Sequence, residues 1–282
     1  MADEITRTRV QLPDGYPIPQ VGYGVFEVPS DETRRLCGLA LEAGYRHIDT
    51  ARFYGNEEAV GEAVLTSGLP REEVFVTTKL WNSDQGYDET LRAFEGSLNR
   101  LRLGYVDLFL IHWPVPSRDL YLPSWKALGR LRADGLVRSI GVSNFHETHL
   151  RRIVDETGVV PAVNQVELHP YLQQAGLRQV NTDLGILTQA WSPLARGRKV
   201  LDDPVITGLA AKHGRTAAQV ILRWHLQLGN IVLPRSQTPS RIVENLTLEG
   251  FELDAEDLAT VAGLERDGRI GPNPDDMARA AD

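Results

Sequence analysis

The chain has 282 residues, of which 42% are hydrophobic and 24% charged, and its formal net charge is -8 at neutral pH. This composition is typical of a globular protein and excludes collagen-like and intrinsically disordered classes, while the negative charge gives no overall attraction to nucleic acid or to anionic membranes. The single cysteine, Cys37, allows no intrachain disulfide, so a cytoplasmic location is expected. The N-terminus lacks the apolar core of a signal peptide, and no segment is long and apolar enough to predict a membrane span.

The first segment of the chain predicts a β-hairpin. Residues 9–24, RVQLPDGYPIPQVGYG, place two short strand-like runs around Asp14-Gly15, a dipeptide typical of tight turns. After it, short apolar runs such as VFVTTKL and VDLFLIH alternate with amphipathic stretches such as YDETLRAFEGSLNRLRL. This alternation predicts parallel strands that are joined by helical crossovers.

Eight strands are predicted in this alternating region. In chain order they are PQVGYG, RHIDTA, VFVTTK, VDLFLIH, SIGVSN, AVNQVEL, ILTQAWS and NIVLPRS. Eight strand–helix units within about 250 residues predict an α/β fold of the (β/α)8 TIM barrel type. We therefore expect a single barrel domain over residues 1–282, with the N-terminal hairpin, two extra helices at 202–213 and 254–265, and an irregular tail after Gly268.

In such a barrel, the polar residues at the C-terminal ends of the strands meet at one mouth, where the chemistry takes place. The predicted strands end in polar residues at Asp49, Lys79, His112, Ser143, Asn144, Gln165, Glu167, Ser192, Arg235 and Ser236. They lie on different strands, so only the barrel brings them together.

Four residues near this mouth form a chemically interpretable set: Asp49, Tyr54, Lys79 and His112. A tyrosine is a poor acid at neutral pH, but a nearby lysine ammonium lowers the tyrosine pKa because it stabilises the phenolate. A carboxylate beside the lysine keeps it charged, and a neutral histidine can orient a carbonyl oxygen. The set suits protonation of a developing alkoxide while a hydride reaches carbon, and that hydride must come from a cofactor. Taken singly, Asp49 or Lys79 is more simply interpreted as a member of a structural ion pair, His112 as part of a packed loop and Tyr54 as an aromatic at the barrel rim. The expected position of all four at one mouth of the barrel favours a catalytic role.

Several motifs resemble those of the aldo-keto reductase family, and they occur in the family's order. GYRHIDTARFYGNE at 44–57 resembles the signature around the catalytic Asp and Tyr, FVTTKL at 75–80 the segment of the catalytic Lys, and VDLFLIHWP at 106–114 that of the catalytic His. RSIGVSNF, VNQVELHPY and WSPL follow. Short loops and the HWP and GPNPD segments resemble the prokaryotic branch that includes 2,5-diketo-D-gluconate reductases.

The resemblance implies catalytic roles for the four residues, with Tyr54 as general acid, and a nicotinamide dinucleotide as cofactor. Arg235, Ser236 and Arg241 cluster around a predicted helix start, an environment that favours anions, and the matching family segment holds the adenosine 2′-phosphate. NADPH/NADP+ is therefore expected rather than NADH. The other positions implied to bind it are Ser143, Asn144 and Gln165 at the carboxamide, Trp191 stacked on the nicotinamide, Ser192 and Leu194 in the same WSPL run, and Glu244 and Asn245 at the adenine.

The substrate pocket is expected to be lined by Tyr23, Phe26, Trp81 and Trp113, with Trp125 and the C-terminal tail as further contributors. Phe26 stands where many relatives have Trp. Arg52 lies inside the first signature, where a small or apolar residue is more usual; it either meets an acidic substrate or projects to solvent, and solvent is favoured.

No metal site is predicted. His146 and His149 have an HxxH spacing, but the HExxH pattern and a third ligand are missing. An exposed, capped helix start is the favoured interpretation of this pair.

Three functions remain open. The first is NADPH-dependent reduction of aldehydes, ketones or keto-sugars by a monomer, of broad specificity or of the 2,5-diketo-D-gluconate type, with no nucleic-acid or membrane partner. The second is a barrel that binds nucleotide without turnover, which the intact four-residue set disfavours. The third is a cofactor-free isomerase or lyase acting on sugar phosphates, in which residues 233–246 would hold the substrate phosphate.

Overall fold

A computed structural model of the protein describes residues 8–197 and 199–277. The predicted hairpin is confirmed: β1 (Arg9–Gln11) pairs antiparallel with β2 (Pro17–Pro19). Gly15 adopts a φ of +91° in the connecting turn, a conformation that favours glycine. Leu12 and Ile18 pack against the first residues of several barrel strands, so the hairpin closes the barrel at the N-terminal ends of its strands.

Eight parallel strands form the barrel, and each overlaps one of the eight predicted runs. They are β3 (Tyr23–Gly24), β4 (His47–Asp49), β5 (Phe75–Leu80), β6 (Val106–Ile111), β7 (Val137–Ser143), β8 (Val163–Glu167), β9 (Leu187–Trp191) and β10 (Ile231–Leu233). Neighbours in the sheet follow the chain order from β3 to β10. A parallel bridge between Val21 and Val232, and a 2.8 Å bond from the Gly22 N–H to the Val232 carbonyl, close the ring. The predicted TIM barrel is confirmed.

Ten helices accompany the strands in the described part of the chain. They are α1 (Ser30–Ala43), α2 (Glu57–Thr66), α3 (Tyr87–Leu101), α4 (Tyr121–Ala133), α5 (Glu147–Thr157), α6 (Ala175–Asp183), α7 (Pro204–His213), α8 (Ala217–Gln227), α9 (Pro239–Glu244) and α10 (Ala255–Ala262). The two extra helices predicted at 202–213 and 254–265 correspond to α7 and α10. Residues 269–277, the C-terminal tail, form neither helix nor strand, as predicted.

The core has two layers because successive side chains of a strand point to opposite faces. In β6, Phe109 and Ile111 pack in the cluster that includes the surrounding helices, whereas Leu108 and Leu110 belong to the cluster inside the barrel. All residues of β5 and β6 are buried, as expected for parallel strands that helices cover. Within 8–197 and 199–277, no helix has both the length and the apolar character of a membrane span.

Candidate active site

A cavity of about 710 Å³ opens at the C-terminal ends of the barrel strands. Three of the four predicted catalytic residues, Asp49, Tyr54 and His112, line it, and Lys79 lies directly behind them. All of the predicted cofactor-binding residues also line this one cavity: Ser143, Asn144, Gln165, Trp191, Ser192, Leu194, Arg235, Ser236, Arg241, Glu244 and Asn245. The structure therefore brings together side chains from seven of the eight strands or from the loops directly after them.

Lys79 connects the catalytic candidates. Its Nζ donates to Asp49 Oδ1 at 2.6 Å, to the Thr50 carbonyl at 2.8 Å and to the Tyr54 hydroxyl at 3.3 Å. The Lys79 side chain is 0% exposed, so all three ammonium hydrogens depend on these protein acceptors. Burial lowers the pKa of Lys79, and the adjacent Asp49 carboxylate opposes that effect. Lys79 therefore forms an ion pair with Asp49 and directs one of its remaining N–H groups at the Tyr54 hydroxyl.

The pKa of Tyr54 differs from the sequence-based expectation. Burial raises the pKa of its hydroxyl well above the usual value, and the Asp49 carboxylate adds to the increase. The lowering of the Tyr54 pKa by Lys79 that the sequence predicted is therefore not found, because burial disfavours the charged phenolate and the Asp49 carboxylate repels it. The hydroxyl therefore stays protonated through the neutral range.

His112 lies next to the tyrosine as a neutral ring. Burial, and secondarily the Lys79 charge, hold the pKa of His112 well below its usual range. Its ring stands edge-on to Tyr54 and to Trp81, with centroids 5.7 and 5.2 Å apart. A neutral imidazole carries one N–H and one acceptor nitrogen, so His112 can orient a carbonyl oxygen without competing as a strong acid.

The turn that carries Tyr54 is fixed by residues of the same motif. After β4 the chain forms a 3-10 turn, Arg52–Tyr54, which ends at Gly55 with a φ of +67°. Asn56 is buried, and its Oδ1 accepts a hydrogen bond from the Thr50 hydroxyl at 2.7 Å. Its Nδ2 donates to the Val25 carbonyl at 3.0 Å. The turn is therefore bonded to both sides, which places Tyr54 over the end of β5.

The residues expected at the nicotinamide form one hydrogen-bonded set. Trp191 Nε1 donates to Asn144 Oδ1 at 2.8 Å, and Asn144 Nδ2 donates to the His112 carbonyl at 2.9 Å and to Ser143 Oγ at 3.0 Å. Asn144 adopts a φ of +62°, a left-handed conformation that Asn tolerates better than most residues. Gln165 Nε2 donates to Asp49 Oδ2 at 2.8 Å. This last bond links the nicotinamide set to the catalytic set.

The opposite end of the cavity carries the arginines. Arg235 Nη1 donates to the Phe26 carbonyl at 2.7 Å and lies 3.3 Å from Glu27 Oε2. Glu27 also lies 3.5 Å from Arg196. Glu27 and Arg196 both line the cavity, and the sequence analysis missed them because they lie in loops without a recognisable motif.

Three of the four predicted substrate-pocket residues, Phe26, Trp81 and Trp113, line the cavity, but Tyr23 does not. Tyr23 is buried behind it, edge-on to Tyr45, and its hydroxyl donates to the Ser236 carbonyl at 2.6 Å. The prediction for Tyr23 is corrected accordingly: its ring supports the segment of Arg235 and Ser236 instead of facing a substrate. Trp125 is also buried outside the lining.

Phe53 was missed by the sequence analysis. Its ring stacks on Trp81 with centroids 3.9 Å apart and lines the cavity; the available signal was its position directly before Tyr54. Arg52 on the other side of Phe53 is exposed and outside the cavity lining, as favoured from the sequence.

The C-terminal tail forms part of the wall. Gly271, Pro272 and Met277 line the cavity, and Met277 packs in a cluster with Trp81 and Trp113. Over the described ranges, no group of three or more His, Cys, Asp or Glu side chains is placed to hold a metal ion. His146 is instead the N-cap of α5, as expected, and its backbone N–H donates to His149 Nδ1 at 3.2 Å. The expected exposure does not hold for His149, which is buried.

The fold and the cavity define a (β/α)8-barrel protein with a buried Asp–Lys pair, a tyrosine and a neutral histidine at its mouth. The family model described as Aldo/keto reductase family matches residues 20–266. An aldo-keto reductase of Mycolicibacterium smegmatis is 55% identical over 266 residues, 94% of this chain and 96% of the relative. The chain belongs to the aldo/keto reductase family, which confirms the resemblance seen in the motifs.

Two further relatives are informative. Methylglyoxal reductase DkgA of Escherichia coli is 48% identical over 269 residues, 95% of this chain and 97% of that protein. A crystal structure of a Gox0644 mutant in complex with NADPH has a TM-score of 0.92 at 50% identity, covering 96% of this chain and 98% of that one. The relatives from Mycolicibacterium smegmatis and Escherichia coli agree with the predicted prokaryotic branch.

Proposed function

We propose that this protein reduces aldehydes, ketones or keto-sugars to alcohols with NADPH, and that Tyr54 is the general acid. The observation that carries the proposal is the buried Lys79 ammonium, which lies 2.6 Å from Asp49 and 3.3 Å from a tyrosine hydroxyl at the edge of a large cavity. Family membership supports carbonyl reduction, and the Gox0644 complex with NADPH supports the cofactor.

The residues of the cavity fit a nicotinamide dinucleotide phosphate. Amide side chains of Asn144 and Gln165 lie near the catalytic set, and the two exposed arginines in the cavity lining, Arg235 and Arg241, offer the cations that a 2′-phosphate would need. Trp191 offers a flat ring in the cavity lining, and its bond to Asn144 fixes the orientation of that ring. When bound, NADPH supplies the hydride that reduces the carbonyl carbon.

The proton comes from the protein. Tyr54 donates its hydroxyl proton to the carbonyl oxygen as that oxygen gains negative charge, and the Lys79 ammonium at 3.3 Å stabilises the phenolate that remains. The Asp49 carboxylate keeps Lys79 charged and aimed at Tyr54. His112, which is neutral, orients the carbonyl oxygen through its ring N–H.

The substrate side of the cavity is lined by aromatic side chains and is compatible with many carbonyl compounds. Phe26, Phe53, Trp81 and Trp113 form an apolar wall, and the tail closes it. A broad-specificity or 2,5-diketo-D-gluconate-type reductase fits this pocket, and the name of DkgA makes methylglyoxal a sensible first substrate. We also propose that the chain works as a monomer, which sedimentation equilibrium tests directly.

The experiment follows the NADPH absorbance band on addition of methylglyoxal and a panel of other carbonyl compounds. Tyr54→Phe should lower turnover by about 10²- to 10⁴-fold, the usual contribution of a general acid, while NADPH binding measured by tryptophan fluorescence changes less than about twofold. Tyr87→Phe, a matched change at an exposed position, should behave as wild type.

Other results would select the alternatives. Wild-type turnover in Tyr54→Phe would remove Tyr54 as proton donor. Tight NADPH binding without turnover of any carbonyl would favour a nucleotide-binding protein without catalysis. Absence of NADPH binding would favour a sugar-phosphate isomerase or lyase and would end the reductase proposal.

A further inference from the structure

The Gln165 side chain lies between the catalytic residues and the expected nicotinamide set. Gln165 is 2% exposed in the middle of β8, and its Nε2 donates both hydrogens: to Asp49 Oδ2 at 2.8 Å and to Gln189 Oε1 at 2.8 Å. A carboxylate accepts hydrogen bonds and donates none. The bond to Asp49 therefore fixes which end of the Gln165 amide faces the catalytic pair.

Two side chains donate to the Asp49 carboxylate, one to each oxygen. Lys79 binds Oδ1 at 2.6 Å and Gln165 binds Oδ2 at 2.8 Å. Asp49 is 4% exposed, so water cannot replace a lost donor without opening the site. Burial raises the pKa of Asp49, and the Lys79 charge together with the bonds from Lys79 and Gln165 opposes that increase.

We propose that Gln165 is a positioning residue for proton delivery, because its donation to Asp49 Oδ2 keeps the carboxylate ionised and thereby keeps Lys79 a cation beside Tyr54. The inference rests on the proposed function of Tyr54 and Lys79. Loss of this bond makes the Asp49 carboxylate more basic, so the free-energy difference that opposes proton transfer from Lys79 to Asp49 becomes smaller. Tyr54 would then face a neutral amine, and its phenolate would lose the stabilising charge.

The other end of the Gln165 amide faces the cofactor side. In the part of the chain that the structure describes, no donor reaches Gln165 Oε1, and Gln165 lines the cavity. A carboxamide N–H that binds Oε1 would polarise the amide and strengthen its donation to Asp49, because hydrogen bonds in a chain reinforce one another. One side chain would thus both contact the cofactor and support the Asp49–Lys79 pair.

Among the described residues, four other titratable groups lie around the Asp49–Lys79 pair. Tyr54 and His112 face Lys79 from the cavity, and burial raises the pKa of the first and lowers that of the second. His47, on the same strand as Asp49, has its pKa lowered to about 3 by burial. Glu57, whose charge also acts on Lys79, is held by Arg100 at 2.7 Å.

The test measures the titration of Asp49 in the free protein by carbon NMR of ¹³Cε-labelled lysine. The chain has four lysines, so replacing Lys126, Lys199 and Lys212 by arginine assigns the Lys79 resonance. This resonance should shift at acid pH when Asp49 takes up a proton, and Asp49→Asn should abolish the inflection. In Gln165→Met the midpoint should rise by about 1–2 pH units, the loss expected for one hydrogen bond to a buried charge.

Two comparisons make the result specific. Ser143→Ala removes another residue expected at the carboxamide but no bond to Asp49, so its midpoint should equal that of the wild type. NADP+ should lower the midpoint of the wild-type protein by more than that of Gln165→Met, in which the positive nicotinamide ring acts on Asp49 without the Gln165 bond. If Gln165→Met does not fold, Gln165→Asn removes the same contact because its amide is one methylene shorter.

Turnover gives an independent readout. The acid limb of carbonyl reduction should move up by the same 1–2 pH units in Gln165→Met, whereas Ser143→Ala should raise the KM for NADPH without moving the pH profile. Equal Lys79 midpoints in the wild type, Gln165→Met and Gln165→Asn would overturn the proposal. Because the NMR titration needs no turnover, this outcome is distinct from a failure of the reductase function itself.

Discussion

The Glu167 carboxylate accepts the backbone N–H of Gly271 at 2.8 Å, and this bond ties the end of β8 to a residue 104 positions later in the chain. The same carboxylate accepts the Ile270 N–H at 2.7 Å and contacts His169 Nε2 at 3.0 Å. Burial acts to raise the pKa of Glu167, but these hydrogen bonds outweigh it and hold that pKa below its usual range. The Glu167 carboxylate, which anchors the C-terminal tail, is therefore ionised at neutral pH. A Cβ on Gly271 would lie 2.6 Å from the Trp191 ring, so the anchored tail lies directly against Trp191.

Replacing this anchor should change substrate binding more than cofactor binding. In Glu167→Gln, the new side-chain NH2 group would face a backbone N–H group of the tail, and two donors cannot form a hydrogen bond. At least one of the bonds that hold the tail is therefore lost. Hydrogen bonds to a buried charge stabilise by about 1.5–3 kcal/mol, and the tail carries Gly271, Pro272 and Met277 into the pocket wall. We expect the KM for methylglyoxal to rise roughly tenfold, while the NADPH Kd changes less than about twofold. Steady-state kinetics measures the KM.

The matched control is Glu256→Gln, the same substitution at an exposed position of α10. It should leave both constants unchanged. An equal loss of NADPH and methylglyoxal affinity in Glu167→Gln would mean that the anchor supports the whole barrel mouth and not the substrate wall in particular.

Breaking the buried ion pair should separate stability from catalysis. Lys79→Met leaves the Asp49 carboxylate buried without its cation, and removal of one member of such a pair costs about 3–5 kcal/mol of unfolding free energy. Asp49→Asn combined with Lys79→Met removes the uncompensated charge, so urea unfolding should show much of that stability restored. Turnover should stay about 10²-fold or more below wild type in both proteins, because neither has the cation beside Tyr54.

Lys126→Met, at an exposed site on α4, controls for the loss of a lysine and should alter the unfolding free energy by less than about 0.5 kcal/mol. Recovery of turnover in the double variant would show that Lys79 serves the fold alone.

The sequence predicted those parts of the site that strand ends determine. Asp49, Lys79 and His112 lie within one residue of the C-terminal ends of β4, β5 and β6, so a parallel barrel places them at one mouth whatever the conformation of the loops. Tyr54 needed only the short turn after β4. The direction of its pKa shift could not be predicted, because it depends on how completely the surrounding side chains exclude water.

Residues in loops were predicted less well. Tyr23 lies in a barrel strand, but its side chain points away from the cavity, whereas Phe53 and Glu27 enter the cavity from turns that have no periodic pattern. The anchor of the tail on Glu167 joins segments that are distant in sequence, and no local signal connects them. These features follow from side-chain directions that only the folded chain defines.

Acid should destabilise the protein through its buried histidines. Burial lowers the pKa of both His47 and His225 to about 3, so below about pH 6.5 the unfolded state binds protons that the folded state does not. The sign is therefore a loss of unfolding free energy as pH falls from 6.5 toward 3, about 2 kcal/mol per histidine by pH 5. Urea unfolding at pH 7 and pH 5 measures it.

His47→Asn supplies the control for that titration. Whatever its stability at pH 7, the difference between pH 7 and pH 5 should be smaller than in the wild type by about 2 kcal/mol. An unchanged difference would show that His47 does not contribute to the acid sensitivity.

Cofactor selectivity should respond in opposite directions to the arginines and to Glu27. Replacing Arg235 by Gly and Arg241 by Leu removes the cations expected at the 2′-phosphate, and charge-assisted bonds of this kind correspond to roughly 10- to 100-fold in affinity. The KM for NADPH should rise by that factor, and the KM for NADH, which has no 2′-phosphate, should change less than about threefold. Steady-state kinetics with both cofactors measures the ratio.

Glu27→Gln is the complementary variant because the Glu27 carboxylate lies 3.3 Å from Arg235 and repels a phosphate that approaches it. Its removal frees the guanidinium, so the preference for NADPH over NADH should increase. Arg34→Leu, at an exposed position of α1, should leave the ratio unchanged. If the arginine variants weaken both cofactors equally, or if Glu27→Gln lowers the preference, the 2′-phosphate does not lie at Arg235.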